Sequence, residues 1–169
     1  MLLYTFNSVH RAFKQLLSKL EETGTHMPKK DILDDFVARW MLALNNDTEL
    51  RFRLRHPQCN LEGKPVLSIH LRDVDYSCTI FVKQNAFYWE KALSSGALLS
   101  ISLPLESFKR LLLTEDRVLD VLLLDEQCTS NFNDEAFDHF NGTTILELLV
   151  VAQEIVDTDE ALRRQIMSL

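Results

Sequence analysis

The segment Val66–Tyr76, VLSIHLRDVDY, carries one imidazole and two carboxylates close together: His70, Asp73 and Asp75. A histidine at the end of a strand, with aspartates three and five residues on, can converge on a divalent ion or act as an acid/base set. A stable transition-metal site takes three or four protein ligands, however, and no H-x3-H or CxxC pattern supplies the rest. Aspartates on either side of Val74 also suit a tight turn, where carboxylates accept from nearby amides. The spacing therefore predicts a strand running into a polar turn, with no metal and no catalytic role at His70, Asp73 or Asp75.

The other chemical candidates are thinner. Cys128 and His139 make a thiol–imidazole pair only if the fold brings them within reach of each other. There is no GxSxG elbow. Gly24, Gly63, Gly96 and Gly142 stand alone, so neither a P-loop nor a dinucleotide fingerprint can be built. Cys59, Cys78 and Cys128 are odd in number and far apart, which supports neither a zinc knuckle nor a disulfide framework. Asp134, Glu135, Asp138 and His139 form an acidic cluster. It reads as a solvated helix end or as a docking face for a basic partner. No catalytic set emerges, and the chain is expected not to be an enzyme and to use no cofactor.

The aromatic residues are the remaining candidates. Phe36 and Trp40 share one helix face, and Phe81, Phe87, Tyr88 and Trp89 fall in consecutive strands. They either pack a core or line an apolar cavity with few polar groups.

The elements that must position these groups follow from periodicity. In residues 8–23, Val9, Phe13, Leu16, Leu17 and Leu20 lie on one side at helical spacing, with Gly24 as a stop. A second helix should run from about Pro28 to Leu44, with Ile32, Leu33, Phe36, Val37, Trp40 and Leu44 as a wide apolar stripe. The period then changes to two. Leu50, Phe52 and Leu54 alternate with Arg51, Arg53 and Arg55, which predicts a one-sided strand. VLSIHL, YSCTIFVK, the short AFYWE and ALLSISL complete a set of about five strands. After Pro104, LESFKRLLL returns to helical spacing. RVLDVLLLD fits a helix or a buried strand, with helix preferred, and QCTSNFNDE reads as a polar loop. Thr144 and Glu147 form a T-x-x-E box ahead of ILELLVVAQEIV, a helix apolar nearly all round. Asp157 and Glu160 repeat that spacing before EALRRQIMSL.

Two helices, consecutive strands and then two to four helices make an α+β fold, with an antiparallel sheet of about five strands in a meander. One domain over 1–169 is expected, with the helix in 1–27 peripheral to it. Such a chain can bury a core of its own.

The net charge is −7, yet from Glu115 onward there are 13 acidic residues against 3 arginines, while the first 114 residues hold 12 acidic and 15 basic ones. An acidic chain argues against nucleic-acid binding. The acidic C-terminal third and the Arg51/Arg53/Arg55 strand are the candidate surfaces for protein partners or for a homo-oligomer. The start, MLLYTFNSVHRAFK, lacks the basic segment and cleavage site of a signal peptide, and no 18-residue apolar run is present. A cytoplasmic protein with no integral membrane segment is expected.

Several of these segments resemble a known family. The A-x-x-x-I-x-L pattern of ALLSISL followed by PLESFKRLLLTED resembles sterol carrier protein type two domains. GKPVLSIHLRDVDY is similar to the corresponding hairpin of a bacterial branch, the lipid-binding accessory factors of ubiquinone biosynthesis. DILDDFVARWMLAL resembles the helix before that sheet, so the resemblance spans about residues 28–156. Where the family shows a late glycine turn, this chain has only Asn141-Gly142.

The resemblance implies a small antiparallel sheet enclosing a tunnel for an isoprenoid, sterol or acyl chain, with no chemistry done by the domain. The residues expected to line it are Phe36 and Trp40 from the helix, and Ile69, Ile80, Phe81, Phe87, Trp89, Leu99 and Ile101 from the strands. Phe108 and Leu149 come from the later helices. The rival expectation is a structural or adaptor protein, a subunit of a larger complex or of viral origin, in which the same side chains simply fill a core.

Overall fold

The computed structural model describes residues 27–113, 118–134 and 139–169. The helix expected over 8–23, and with it the peripheral segment 1–27 apart from its last residue, lies outside the described residues. Helix α1 spans Lys29–Asn46, begun by Pro28, whose fixed φ suits a helix start. Its stripe is buried as predicted, from Ile32 to Leu44, with Met41 added. Asp47 ends α1 and at once starts α2, Thr48–Leu54, by accepting from the Leu50 amide at 2.8 Å.

Helix α2 corrects the strand expected for ELRFRLR, and with it the Arg51/Arg53/Arg55 strand proposed as a docking edge. Leu50 and Leu54 are four apart as well as alternating, so both periods fit seven residues. The aspartate cap and the burial of both leucines decide for the helix. Each leucine contributes roughly 1.5–3 kcal/mol by leaving water, which a helix this short needs because it is unstable alone.

Strands β1 (Pro65–Leu71), β2 (Tyr76–Lys83) and β3 (Ala86–Glu90) form an antiparallel meander. The β2–β3 hairpin turns on Gln84 and Asn85, both at positive φ, the twist a two-residue hairpin favours. The Glu62 carboxylate accepts from both turn amides, at 2.7 and 3.3 Å. The chain then crosses to the other side of β1. There β4 (Leu99–Leu103) lies parallel to β1, and β5 (Thr129–Phe132) pairs antiparallel with β4.

The sheet order is β3-β2-β1-β4-β5. The α+β class and the five strands hold. The meander does not extend across the whole sheet, because the β1–β4 pair is parallel. The edge strand β5 comes from QCTSNFNDE, expected as a polar loop: TSNF is short, polar and half exposed, as edge strands often are.

Helix α3 (Leu105–Leu113) and helix α4 (Val118–Leu124) lie between β4 and β5 in sequence, and α5 (His139–Thr158) and α6 (Glu160–Ser168) close the chain. Two expected caps are corrected. Thr144 is not at a helix start but buried inside α5. Helix α6 is capped not by Asp157 but by Asp159, which accepts from the Ala161 and Leu162 amides.

The buried apolar residues form one core cluster running from α1 through the strands to α5 and α6. Directed bonds tie the layers. Trp40 donates its indole N–H to the Leu148 carbonyl at 2.7 Å. Asn45 grips Phe87 on the edge strand, accepting from its N–H at 2.8 Å and donating to its carbonyl at 2.7 Å. Gln153 donates to the Leu111 carbonyl at 2.7 Å.

Candidate functional site

The densest chemical segment separates on folding. His70 points off the polar face of β1, where its Nδ1 lies 2.9 Å from Ser77 Oγ. Asp73 accepts from the Leu105 amide at 2.8 Å, so it anchors the start of α3 rather than bonding an amide of its own turn. Asp75 takes a positive φ at the hairpin and faces Lys30 at 3.8 Å, with its carboxylate almost fully exposed. Among the described residues, no three His, Cys, Asp or Glu side chains group as metal ligands. Cys128 is half-buried, and burial pushes its thiol up. The side chain of His139, with Glu135 and Asp138, lies outside the described residues.

The two faces of the sheet differ sharply. Alternation places Leu67, Ile69, Leu71, Cys78, Ile80, Leu99 and Ile101 on the inner face, all buried. Register sets Val82 opposite Phe87 and Ile80 opposite Trp89 on that same face. Three rings from the helices gather here. Phe36 lies 5.7 Å from Trp40 and 5.8 Å from Phe108, the latter pair edge-to-face. Leu149 is buried in the same core cluster. Leu67 and Leu148 belong to this layer too and were not among the expected lining residues. The alternation around Ile69 singles out Leu67, whereas Leu148 enters through its carbonyl, which no sequence pattern marks.

Phe81 does not belong to this layer. It pairs in register with Tyr88 on the outer face, where the rings stack at 5.3 Å. Period two along β2 requires this, since Ile80 and Val82 already point inward.

The centre of the inner layer is closed, while Trp89 at its β3 edge is only partly buried. Phe36, Leu99 and Ile80 are 0% exposed, and Trp40 and Ile101 are 1% exposed. At those values no water-sized space adjoins these side chains. Burial pushes the Cys78 thiol up to about 12, aided by the negative charge of Asp34. It also raises the Tyr76 phenol, which donates to Asp34 Oδ1 at 3.1 Å.

Two clefts lined by described residues lie elsewhere, among mostly charged and polar side chains. One cleft of about 490 Å³ is lined by Glu106, Ser107, Lys109, Arg110, Leu113, Asp125 and Gln127. Hydrogen bonds from Ser107 and from the Gln127 amide hold the Asp125 carboxyl below the ordinary carboxylate range, helped by Arg110. A second cleft of about 390 Å³ runs along Lys30, Asp75, Tyr76, Ser77 and Lys91 to Leu93. Its lysines are each paired, Lys30 with Asp75 and Lys91 with Asp34.

On the outer face, hydroxyls replace hydrocarbon. Ser68 and Thr79 are 0% exposed and 2.9 Å apart. Thr79 donates to the Ala92 carbonyl at 2.7 Å, so Ser68 must donate to Thr79, while Ser68 accepts from the Ser94 amide at 3.2 Å. The segment Ala92–Ser94 thus lies across this face and keeps water from the pair.

No family model matches the chain, and no curated protein matches it. Among solved structures, it is similar to sterol carrier protein 2 at 14% identity, covering 71% of this chain and 95% of that one with a TM-score of 0.51. The fold is that of sterol carrier protein 2. Two other solved structures align with this fold. One is a UbiJ-SCP2 ubiquinone synthesis protein, at 13% identity over 72% of this chain and 99% of that one, with a TM-score of 0.47. The other is a conserved hypothetical protein of Thermus thermophilus described as a possible sterol carrier protein. It is 15% identical over 69% of this chain and 82% of that one, with a TM-score of 0.46. Among the described residues, no helix is long and apolar enough to cross a membrane.

Proposed function

We propose that the chain binds a hydrophobic guest, an isoprenoid, sterol or acyl chain, in the layer between the inner sheet face and the helices. The observation that carries this reading is the sterol carrier protein 2 fold. In this chain that fold holds a continuous apolar layer around Phe36, Trp40 and Phe108. The lining proposed is Phe36, Trp40, Ile69, Ile80, Phe87, Trp89, Leu99, Ile101, Phe108 and Leu149. Phe81, on the outer face, is withdrawn from that set. No catalytic step is assigned to the domain. The finer reading, an accessory role in quinone assembly in the cytoplasm, rests on the sequence resemblance of GKPVLSIHLRDVDY.

Because the layer is closed, a guest must open it. A void of about 400 Å³ costs on the order of 10 kcal/mol at ~24 cal/mol per Å³. Burying a chain of about sixteen methylenes returns roughly 13 kcal/mol at ~0.8 kcal/mol each. The two nearly balance, so the space should open only when a chain fills it, and binding should be moderate in strength. Mass spectrometry of lipid extracted from gently purified protein tests this. One equivalent of isoprenoid, sterol or acyl lipid is expected. Lipid-free protein that also takes up none on incubation would end the proposal.

The closed layer also favours a second reading, a structural or adaptor protein acting through its surface. A fixed oligomer that survives dilution in light scattering, with no lipid bound, is what that reading predicts.

A further inference from the structure

Helix α2 aims one side chain directly away from the protein. Leu50 and Leu54 are buried on one side. At about 100° per residue Phe52 falls opposite their midpoint, and it is 70% exposed. Arg51 and Arg55 stand beside it on the exposed side. Arg53 is held by Glu49 at 2.6 Å. Neither Arg51 nor Arg55 forms an ion pair or side-chain hydrogen bond among the described residues.

We propose that this apex seats the protein on an anionic lipid surface, with Phe52 entering the headgroup–acyl boundary while Arg51 and Arg55 bind lipid phosphates. Charge complementarity selects the occupant. The chain carries −7 overall, and its acidic excess lies from Glu115 onward. An anionic surface therefore repels the part from Glu115 onward, whereas Arg51 and Arg55 belong to the first 114 residues, where 15 basic residues outnumber 12 acidic ones. A planar guanidinium matches phosphate oxygens with paired hydrogen bonds.

Shape selects a membrane over a protein. A single projecting ring on a seven-residue helix offers far less than the roughly 800 Å² per partner that a stable protein interface buries. An interfacial lipid contact needs only an apolar anchor and nearby positive charge. The buried leucines fix the helix in place, so docking orders nothing new. This inference goes beyond the guest-binding reading and needs no bound guest.

Sedimentation of the ligand-free full chain with vesicles of phosphatidylcholine and phosphatidylglycerol in equal parts tests it. Binding is expected on these vesicles, not on phosphatidylcholine alone, and should fall steeply with added salt. Arg51→Gln with Arg55→Gln should weaken it by roughly 25-fold, about fivefold per arginine. Phe52→Ser should weaken it by roughly fivefold. The emission of Phe52→Trp should shift to the blue on anionic vesicles. Both sites are exposed, so thermal melting should match the parent chain. If the double variant fails to fold, Phe52→Ser and the salt series decide.

Absence of binding to the anionic vesicles overturns the proposal, as does binding that the variants leave unchanged. So does an unshifted Phe52→Trp spectrum combined with equally tight binding to polyglutamate, which would make the patch a contact for an acidic protein. Vesicle binding can fail while lipid extraction succeeds, and the reverse, so the two proposals stand or fall separately.

Discussion

The two faces of the sheet are built from the same strands but held by different means. On the inner face, Leu67, Ile69, Ile80, Leu99 and Ile101 are buried in one core cluster with the Phe36–Trp40–Phe108 rings. On the outer face, Ser68 and Thr79 are as thoroughly buried, yet they are held by a directed chain of hydrogen bonds running from Ser94 to Ala92. The inner face depends on volume, which is the property the proposed guest binding requires. The outer face depends on donor–acceptor pairing, which a hydrocarbon cannot replace. This is why guest binding is assigned to one face only.

The strongest challenge to this contrast is Trp40→Ala. It removes a fully buried ring and leaves the Leu148 carbonyl without its indole partner, and it should cost about 3–5 kcal/mol of unfolding free energy in a urea titration. A loss under about 1 kcal/mol would mean that the inner layer is not tightly packed. Ser68→Ala comes next, at about 1–3 kcal/mol, because it strands the Ser94 amide and removes the hydrogen bond that Thr79 accepts, leaving Thr79 only its bond to the Ala92 carbonyl. Combining it with Thr79→Val should cost less than the sum of the single losses, a coupling that a face held by volume alone would not show.

Asp125→Asn should have a smaller effect, and one that depends on pH. The Asp125 carboxyl is held below its ordinary value of 3.8. Its folded pKa therefore lies under the unfolded one, and its contribution is present above roughly pH 4 and lost as pH falls through the folded value. Melting curves of variant and parent should differ at neutral pH and converge in acid. The smallest effect belongs to His70→Ala, within about 0.5 kcal/mol, with metal content equal to that of the parent chain. A bound metal lost with His70 would reopen the ligand reading of His70, Asp73 and Asp75.

Much of the inner face was legible because burial on one side imposes a period. The stripe from Ile32 to Leu44 could only be a helix, and Leu99, Ile101 and Leu103 between serines could only be a half-buried strand. The same rule places Ile80 and Val82 inward and so Phe81 outward, although its aromatic character suggests a lining role. ELRFRLR reads as a strand only because seven residues satisfy both periods. The signal that separates them is Asp47, a helix end for α1 that also caps α2. TSNF at β5 carries no apolar alternation, since an edge strand exposed to water has little to bury. The parallel β1–β4 pairing depends on where the chain crosses the sheet, which neither strand's own residues encode. The closure of the inner layer is a matter of packed volume, which no residue pattern reports.

The Trp40 indole N–H, bonded to Leu148 at the centre of the closed layer, reports most directly on whether that layer admits a guest. Its nuclear magnetic resonance signal, followed while the full chain is titrated with a sixteen-carbon fatty acid kept below its micelle concentration, should move and saturate at one equivalent. A signal that stays in place while fatty acid is present in excess would mean that the interior is protein alone, and the guest-binding account would be wrong.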